Sequence, residues 1–327
     1  MLRLWMVALL LLAGITAGCG DDDKNISFNS SKEIVLYSEL DNKFTEDLLQ
    51  EFNKEHKGKV TARAIYEIKQ GEADPDVVLA EQRTLNGLWR QGRLQAVPVA
   101  AGKSLPAKLR HKDNLWYGIF YDPAVLLVNQ QFARTVGQSR LHSWQDLEYI
   151  ETQRIAMENL SDSNSTQNFL GAFADAKGET TSLNYLWNIN RFVEKYAKFP
   201  FTPVRITAVG DADVAITRQR YVLKYLESKF PAYVVFPKEG TPVNLYGTGV
   251  FKNCNKVEYA SDLVEWLLTD EKVQAVSQAD ATGYMFFFPS GGEAPDMDKL
   301  WLNQSYLTQR EQEALTNRWL GRVRFSK

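Results

Sequence analysis

Hydrophobic and polar positions run in two alternating registers along residues 33–290, and each change of register marks an element. Ile34-Val35-Leu36-Tyr37 is a short apolar run bounded by charge, the pattern of a buried strand. Phe44, Leu48, Leu49 and Phe52 then recur at helical spacing, with Thr45 as the expected N-cap and Phe44 against Leu49 as a hydrophobic staple. His56-Lys57-Gly58-Lys59 ends that helix, and Val60–Ile65 returns as a strand. Asp76–Leu79 is a third strand, followed by a helical stretch over 84–92. Trp116–Asn129 reads as one long strand, or two in succession, interrupted by Pro123. The alternation resumes with a strand at 154–157, a polar loop at 161–166 and helices at 167–174 and 183–196. A strand follows at 212–216, with Thr217 able to cap a helix from Arg218 to Lys229, then strands at 233–236 and 249–251. Asn255 with Glu258 opens a helix whose stripe is Ala260, Leu263, Val264, Leu267 and Leu268.

Strands alternating with helices imply a mainly parallel sheet covered on both faces, with the ligand beyond the carboxyl ends of the strands. The residues to watch are therefore Ser38, Glu39 and Asp41 after the first strand and Glu81 after the third. At 327 residues the chain exceeds the roughly 100–200 of a typical domain and suits two.

The start of the chain is set apart. Arg3 precedes an apolar run from Leu4 to Leu12, and Thr16-Ala17-Gly18 puts small residues before Cys19. This is the layout of an export signal, too short to be the roughly 20-residue span of a membrane helix. Ending in cysteine, it resembles a bacterial lipoprotein signal, which implies cleavage after residue 18 and acylation of Cys19. Residues 19–32 are polar and acidic, as expected of a flexible tether. The net charge is −2 and no basic block or RNA-binding signature occurs, which argues against a nucleic-acid partner. After Cys19 the one further cysteine is Cys254, so the body depends on its core and not on a disulfide.

Four segments, in order, carry a further resemblance: Glu33–Ser38, Asp74–Gln82 (DPDVVLAEQ), Val234–Thr241 (VVFPKEGT) and Ala260–Gln274. Together they resemble the bacterial extracellular solute-binding proteins of ABC importers, in the branch that includes ferric-iron and phosphonate receptors. The resemblance covers about residues 33–290. It implies a two-lobe α/β fold of the periplasmic-binding-protein type 2 class, with a hinge and an interlobe cleft. Lobe one would comprise 33–124 plus 240–327 and lobe two 125–239. It further implies no enzymatic activity, a small-molecule or metal solute, a monomeric receptor at the cell envelope, and an ABC permease with its ATPase as partner. A sensor subunit on the same fold stays open. An exported enzyme would need a nucleophile with its base or a metal cluster, and neither a G-x-S-x-G nor an H-E-x-x-H motif occurs.

Two ligand chemistries follow. Glu81 matches the position at which the iron receptors use a carboxylate, and Asp41 lies near a first-lobe ligand of some members. Those receptors carry two adjacent tyrosines in the second lobe, where this chain has Tyr221 alone, within Thr217-Arg218-Gln219-Arg220-Tyr221-Val222. Ferric iron, bound as cargo with no resident cofactor, would use Asp41, Glu81 and Tyr221. An anion would instead use helix N–H groups behind Thr217, with Arg218 or Arg220 adding a bidentate contact, and the hydroxyls of Ser165 and Thr166 at the next helix start. The alternative for these hydroxyls is ordinary capping, and for the arginines a solvated helix face. Trp116, Tyr117 and Tyr246 are strand aromatics that belong to the core or line the cleft.

Overall fold

The computed structural model describes residues 32–137, 141–150, 153–227, 229–279, 283–287, 295–305 and 308–326. The signal at 1–18, Cys19 and most of the tether lie outside them. Among the described residues no helix is long and apolar enough to cross a membrane.

The first half runs β1 (Glu33–Ser38), α1 (Asn42–Glu55), β2 (Thr61–Ile65), β3 (Val77–Glu81), α2 (Gln82–Arg90) and the short β4 (Leu94–Gln95). β5 (Trp116–Asn129) follows, then α3 (Gln130–Val136), α4 (Asp146–Tyr149), β6 (Ile155–Glu158), α5 (Asn164–Lys177), α6 (Glu179–Asn190) and β7 (Val193–Ala197). Next come α7 (Phe201–Val209), β8 (Val214–Arg218), α8 (Gln219–Glu227), β9 (Ala232–Val235) and β10 (Thr241–Phe251). The chain ends with α9 (Val257–Thr269), α10 (Glu271–Ala279), β11 (Met285–Phe286), β12 (Leu300–Trp301) and α11 (Gln309–Trp319), which passes into a wide turn at Leu320–Arg324.

One sheet runs β2-β1-β3-β10-β5-β8-β6-β7. β1, β2 and β3 are parallel, as are β6, β7 and β8, while β5 and β10 lie antiparallel to each other and to their outer neighbours. β5 is a single buried strand that changes partner at Pro123: residues up to Pro123 pair with β10, and Ala124 onward pairs with β8 and β9. Proline offers no N–H to a ladder, so it suits the residue at which the pairing changes. At the same point Thr241 Oγ1 donates to the Ala124 carbonyl at 2.7 Å and ties the two crossover strands together. Gly240, just before β10, adopts φ +104°, and a Cβ there would lie 2.5 Å from the Trp301 ring nitrogen. The turn that follows the Pro237-Lys238-Glu239 stretch thus requires glycine.

Separate cores lie on either side of the crossovers. Phe44, Leu48, Leu49 and Phe52 of α1 pack with Ile34, Leu36 and Leu79 and with Leu263, Val264 and Leu267 of α9. Leu126, Met157 and Ile216 pack with Phe169, Leu170 and Phe173 of α5 and Leu183 and Leu186 of α6. The C-terminal stretch departs from the expectation that 240–327 belongs with lobe one. Leu315, Trp319 and Val323 are buried in the second core, because the apolar face of α11 fits against α5 and the following turn fits against α6.

Local departures have local causes. α1 is capped by Asp41, not Thr45, whose hydroxyl is buried against Ser38. The helix expected over 183–196 stops at Asn190, and the chain enters β7. α9 begins at Val257 behind Lys256, without the expected side-chain cap.

Candidate functional site

The carboxyl ends of β1, β3, β6 and β8 open on one cavity of about 290 Å³, lined from both cores. Its first wall carries Glu39, Glu81 and Tyr246. Glu81 ends β3 and precedes α2, but its carboxylate makes no capping bond, so it is left to face the cavity. Its own N–H donates to Glu39 Oε2 at 3.1 Å, and Thr84 Oγ1 donates to Glu39 Oε1 at 2.8 Å. Tyr246 OH donates to Glu81 Oε1 at 3.4 Å. Burial, together with the charge of Glu81, raises the pKa of Glu39, although its hydrogen bonds work in the other direction. Neither Glu39 nor Glu81 has a cationic side chain within ion-pair distance among the described residues.

The second wall is built on β6, the start of α5, the end of β8 and the first turn of α8. Arg218 is the last residue of β8 and is almost fully buried. Its guanidinium lies 3.6 Å from Glu158, donates to Tyr221 OH at 3.0 Å and bonds Ser165 Oγ. Burial opposes its charge, but Glu158, Tyr221 and Asp122 outweigh that and hold its pKa above the ordinary value. Arg220 differs: its guanidinium stacks 4.4 Å over the Tyr284 ring and donates to Tyr284 OH at 2.6 Å. It has no carboxylate within ion-pair distance among the described residues. Burial raises the pKa of Tyr221, Tyr246 and Tyr284, the last to about 12, so these phenols are neutral at neutral pH.

Of the residues singled out in the sequence, Glu81, Ser165, Thr166, Arg218, Arg220 and Tyr221 are brought together on this cavity. Ser38, Asp41 and Thr217 are not among its lining residues. Ser38 is buried in the β1–α1 turn, its hydroxyl paired with Thr45 at 2.8 Å and accepting from the Leu40 N–H. Asp41 accepts from the Phe44 N–H at 3.2 Å and caps α1, so the trio Asp41, Glu81 and Tyr221 is not assembled around one point. Thr217 lies inside β8, one residue too early to cap α8. Of the first-turn N–H groups expected to meet an external anion, that of Arg220 donates instead to the buried carboxylate of Asp122 at 3.2 Å. Thr166 serves a capping box with Ser163, which closes the start of α5. Ser163→Ala is expected to cost about 1 kcal/mol of stability in denaturant unfolding, the usual value of such a cap.

Sequence reasoning missed Glu158, Lys198 and Tyr284 on the cavity wall and Asp122 behind it. Glu158 ends β6 as Glu81 ends β3, so the strand-end rule would have found it. Tyr284 has no such local signal, since tertiary packing against Phe44 and Tyr246 places it. Trp116 and Tyr117 are core residues, whereas Tyr246 lines the cleft. Among the described residues no three His, Cys, Asp or Glu side chains cluster as a metal site.

Two cores sharing crossover strands, with a polar cavity at the strand ends between them, define a receptor for a small ligand. The chain belongs to the bacterial extracellular solute-binding protein family, whose sequence profile matches residues 72–310. It is 26% identical over 266 residues to iron uptake protein A1 of Synechocystis sp., covering 73% of this chain and 72% of that one. It superposes on ferric iron-binding protein A of Mannheimia haemolytica in an open conformation with a TM-score of 0.72 at 16% identity, covering 90% of this chain and 98% of that one. The fructose-6-phosphate-bound periplasmic binding protein AfuA of Actinobacillus pleuropneumoniae gives 0.70 at 19% identity, covering 90% and 100%. The expected fold class and the role of a solute-binding protein are thereby met, and the family places the folded part outside the cytoplasm.

Proposed function

We propose that this chain is the lipid-anchored receptor of an ABC importer, tethered through Cys19, and that it captures a small anionic solute in the cavity between its cores. One observation carries the anion reading: Arg220 stands in the cavity beside Arg218 with no carboxylate in ion-pair distance among the described residues. A guanidinium held over a tyrosine ring and bonded to its hydroxyl is preorganised for bidentate contact with a phosphate, phosphonate or carboxylate. The hydroxyls of Ser163 and Ser165 add polar contacts from the same wall. Ligand touching both walls favours hinge closure, and the closed form docks on the permease. The chain works as a monomer and performs no chemistry on its cargo.

A second reading is ferric iron, supported by Glu39 and Glu81, which lack cationic partners and share the cavity with Tyr221, Tyr246 and Tyr284. Carboxylate and phenolate oxygens suit a hard cation, whose charge would drive the phenol protons off. Iron uptake protein A1, a relative, is named for that cargo.

The test is the melting temperature of residues 24–327 with phosphate, phosphonates, phosphate esters and ferric complexes. A ligand at a hundredfold excess over its Kd adds about 2.7 kcal/mol. A shift with one anion, abolished in Arg220→Ala, supports the anion reading. A shift with ferric iron alone, abolished in Glu81→Gln, replaces it. Incorporation of labelled palmitate that disappears in Cys19→Ser checks the anchor.

A further inference from the structure

Asp122 lies in β5 opposite Asn244 of β10, on the crossover strands that join the two cores. It is fully buried. Its Oδ1 accepts from the Arg220 N–H, and its Oδ2 has no hydrogen-bond partner. Asn244 does not supply one: its Nδ2 donates to Ser165 and its Oδ1 accepts from Asn168 Nδ2 at 2.7 Å. A buried carboxylate oxygen left bare is costly unless nearby charge compensates it. The compensating charges are the two cleft arginines, Arg218 at the end of β8 and Arg220 on α8. Glu158 of β6 opposes them, and the phenols of Tyr221, Tyr246 and Tyr284 complete the set of titratable groups that feel Asp122.

We infer that Asp122 is a positioning residue of the solute site: its carboxylate supplies the counter-charge that a bound anion replaces, so capture of the anion is coupled to protonation of Asp122. The inference rests on the anion reading of the cleft. The proton comes from solvent and goes to the bare carboxylate, turning COO⁻ into COOH, and no other bond changes. An anion between Arg218 and Arg220 takes up the field that kept Asp122 ionised and adds repulsion of its own. Burial already pushes the Asp122 pKa up to about 6, against the pull of both arginines, so a further rise falls in the neutral range. By linkage, anion affinity increases as pH falls through that range.

Sulfate is the probe, because its charge is constant between about pH 5 and 8, the range over which Asp122 titrates. Wild-type protein is expected to bind sulfate about tenfold more tightly at pH 5 than at pH 8, the change that accompanies one unit of displaced pKa. Calorimetry in two buffers of different ionisation enthalpy should show the proton uptake. Asp122→Asn can still accept from the Arg220 N–H. It should bind sulfate at pH 8 nearly as tightly as wild type does at pH 5, without that uptake, whereas Glu158→Gln should retain the uptake. A proton uptake that survives in Asp122→Asn assigns the linkage to another carboxyl and overturns the inference. Sulfate binding by wild type with no pH slope overturns it too, and leaves the anion reading standing. No sulfate binding at any pH overturns the coupling, and a melting temperature unmoved by every anion of the panel overturns the anion reading as well. Should Asp122→Asn fail to fold, the carboxyl-carbon titration of Asp122 in wild type decides: an upward move with sulfate supports the inference, and an unmoved midpoint overturns it.

Discussion

Arg218→Ala loses about 3–5 kcal/mol of stability at pH 8, the cost of leaving a buried carboxylate without its partner, and less at pH 5. Arg218 is the one cation in ion-pair distance of Glu158 among the described residues, and its charge also reaches Asp122. Both carboxyls are buried, and burial raises both pKa values in spite of Arg218. Without Arg218 they rise further above their unfolded values. A carboxyl with a raised folded pKa favours the folded state below its unfolded pKa and loses that favour as pH climbs through the folded one. For Asp122 that loss is complete near pH 6 in wild type but continues above it in the variant, so the deficit of the variant grows from pH 5 to pH 8. Urea unfolding of both proteins at these two pH values measures it. A pH-independent deficit would mean that Arg218 acts through packing alone. Arg218→Lys recovers only part of the loss, because a point charge cannot bond Ser165 and Tyr221 and face Glu158 at once.

Part of the cavity lining was legible because strand ends are legible. β3 and β8 are short apolar runs, and the polar side chains at and just after their ends, Glu81, Arg218, Arg220 and Tyr221, are those that a parallel sheet delivers to its cleft. Ser38 and Asp41 follow the first strand in the same way, yet a tight β1–α1 turn consumes both: one side chain pairs with Thr45 and the other caps the helix. Sequence position does not distinguish a polar side chain spent on a turn from one left over for a ligand. Thr217 failed by one residue, since the strand continues through Arg218 before α8 begins. Asp122 was hidden differently. It sits within an apolar strand beside Pro123, where a carboxylate has no local reason to be, and its partners come from β8 and α8, about a hundred residues later. A charged residue inside a strand buried along its whole length was the available signal.

The same distinction between local and distant cause bears on the C-terminus. Trp319→Ala is expected to destabilise the protein by about 3–5 kcal/mol, the range for removing a fully buried large aromatic. Trp319 has no exposed surface, and its ring meets Tyr196 edge to face at 5.7 Å. The turn after it is pinned where Asn190 Nδ2 donates to the Val323 carbonyl at 2.9 Å. Thr308 and Glu311 form a capping box that sets where α11 begins, so the ring arrives in a fixed register. Family resemblance alone had assigned this stretch to the other lobe. Hydrogen exchange separates the two assignments: in Trp319→Ala, protection should fall first in α5, α6 and α11, while α1 and α9 keep theirs until global unfolding. Protection lost first in α1 and α9 would return the C-terminal helix to the first core. The placement also constrains the hinge. The chain crosses at β5 and at β10 and once more between α10, in the first core, and α11, packed on the second. Closure that moves one core against the other must therefore carry α11 with α5, the helix whose first turn holds Ser165 and Thr166 at the cavity.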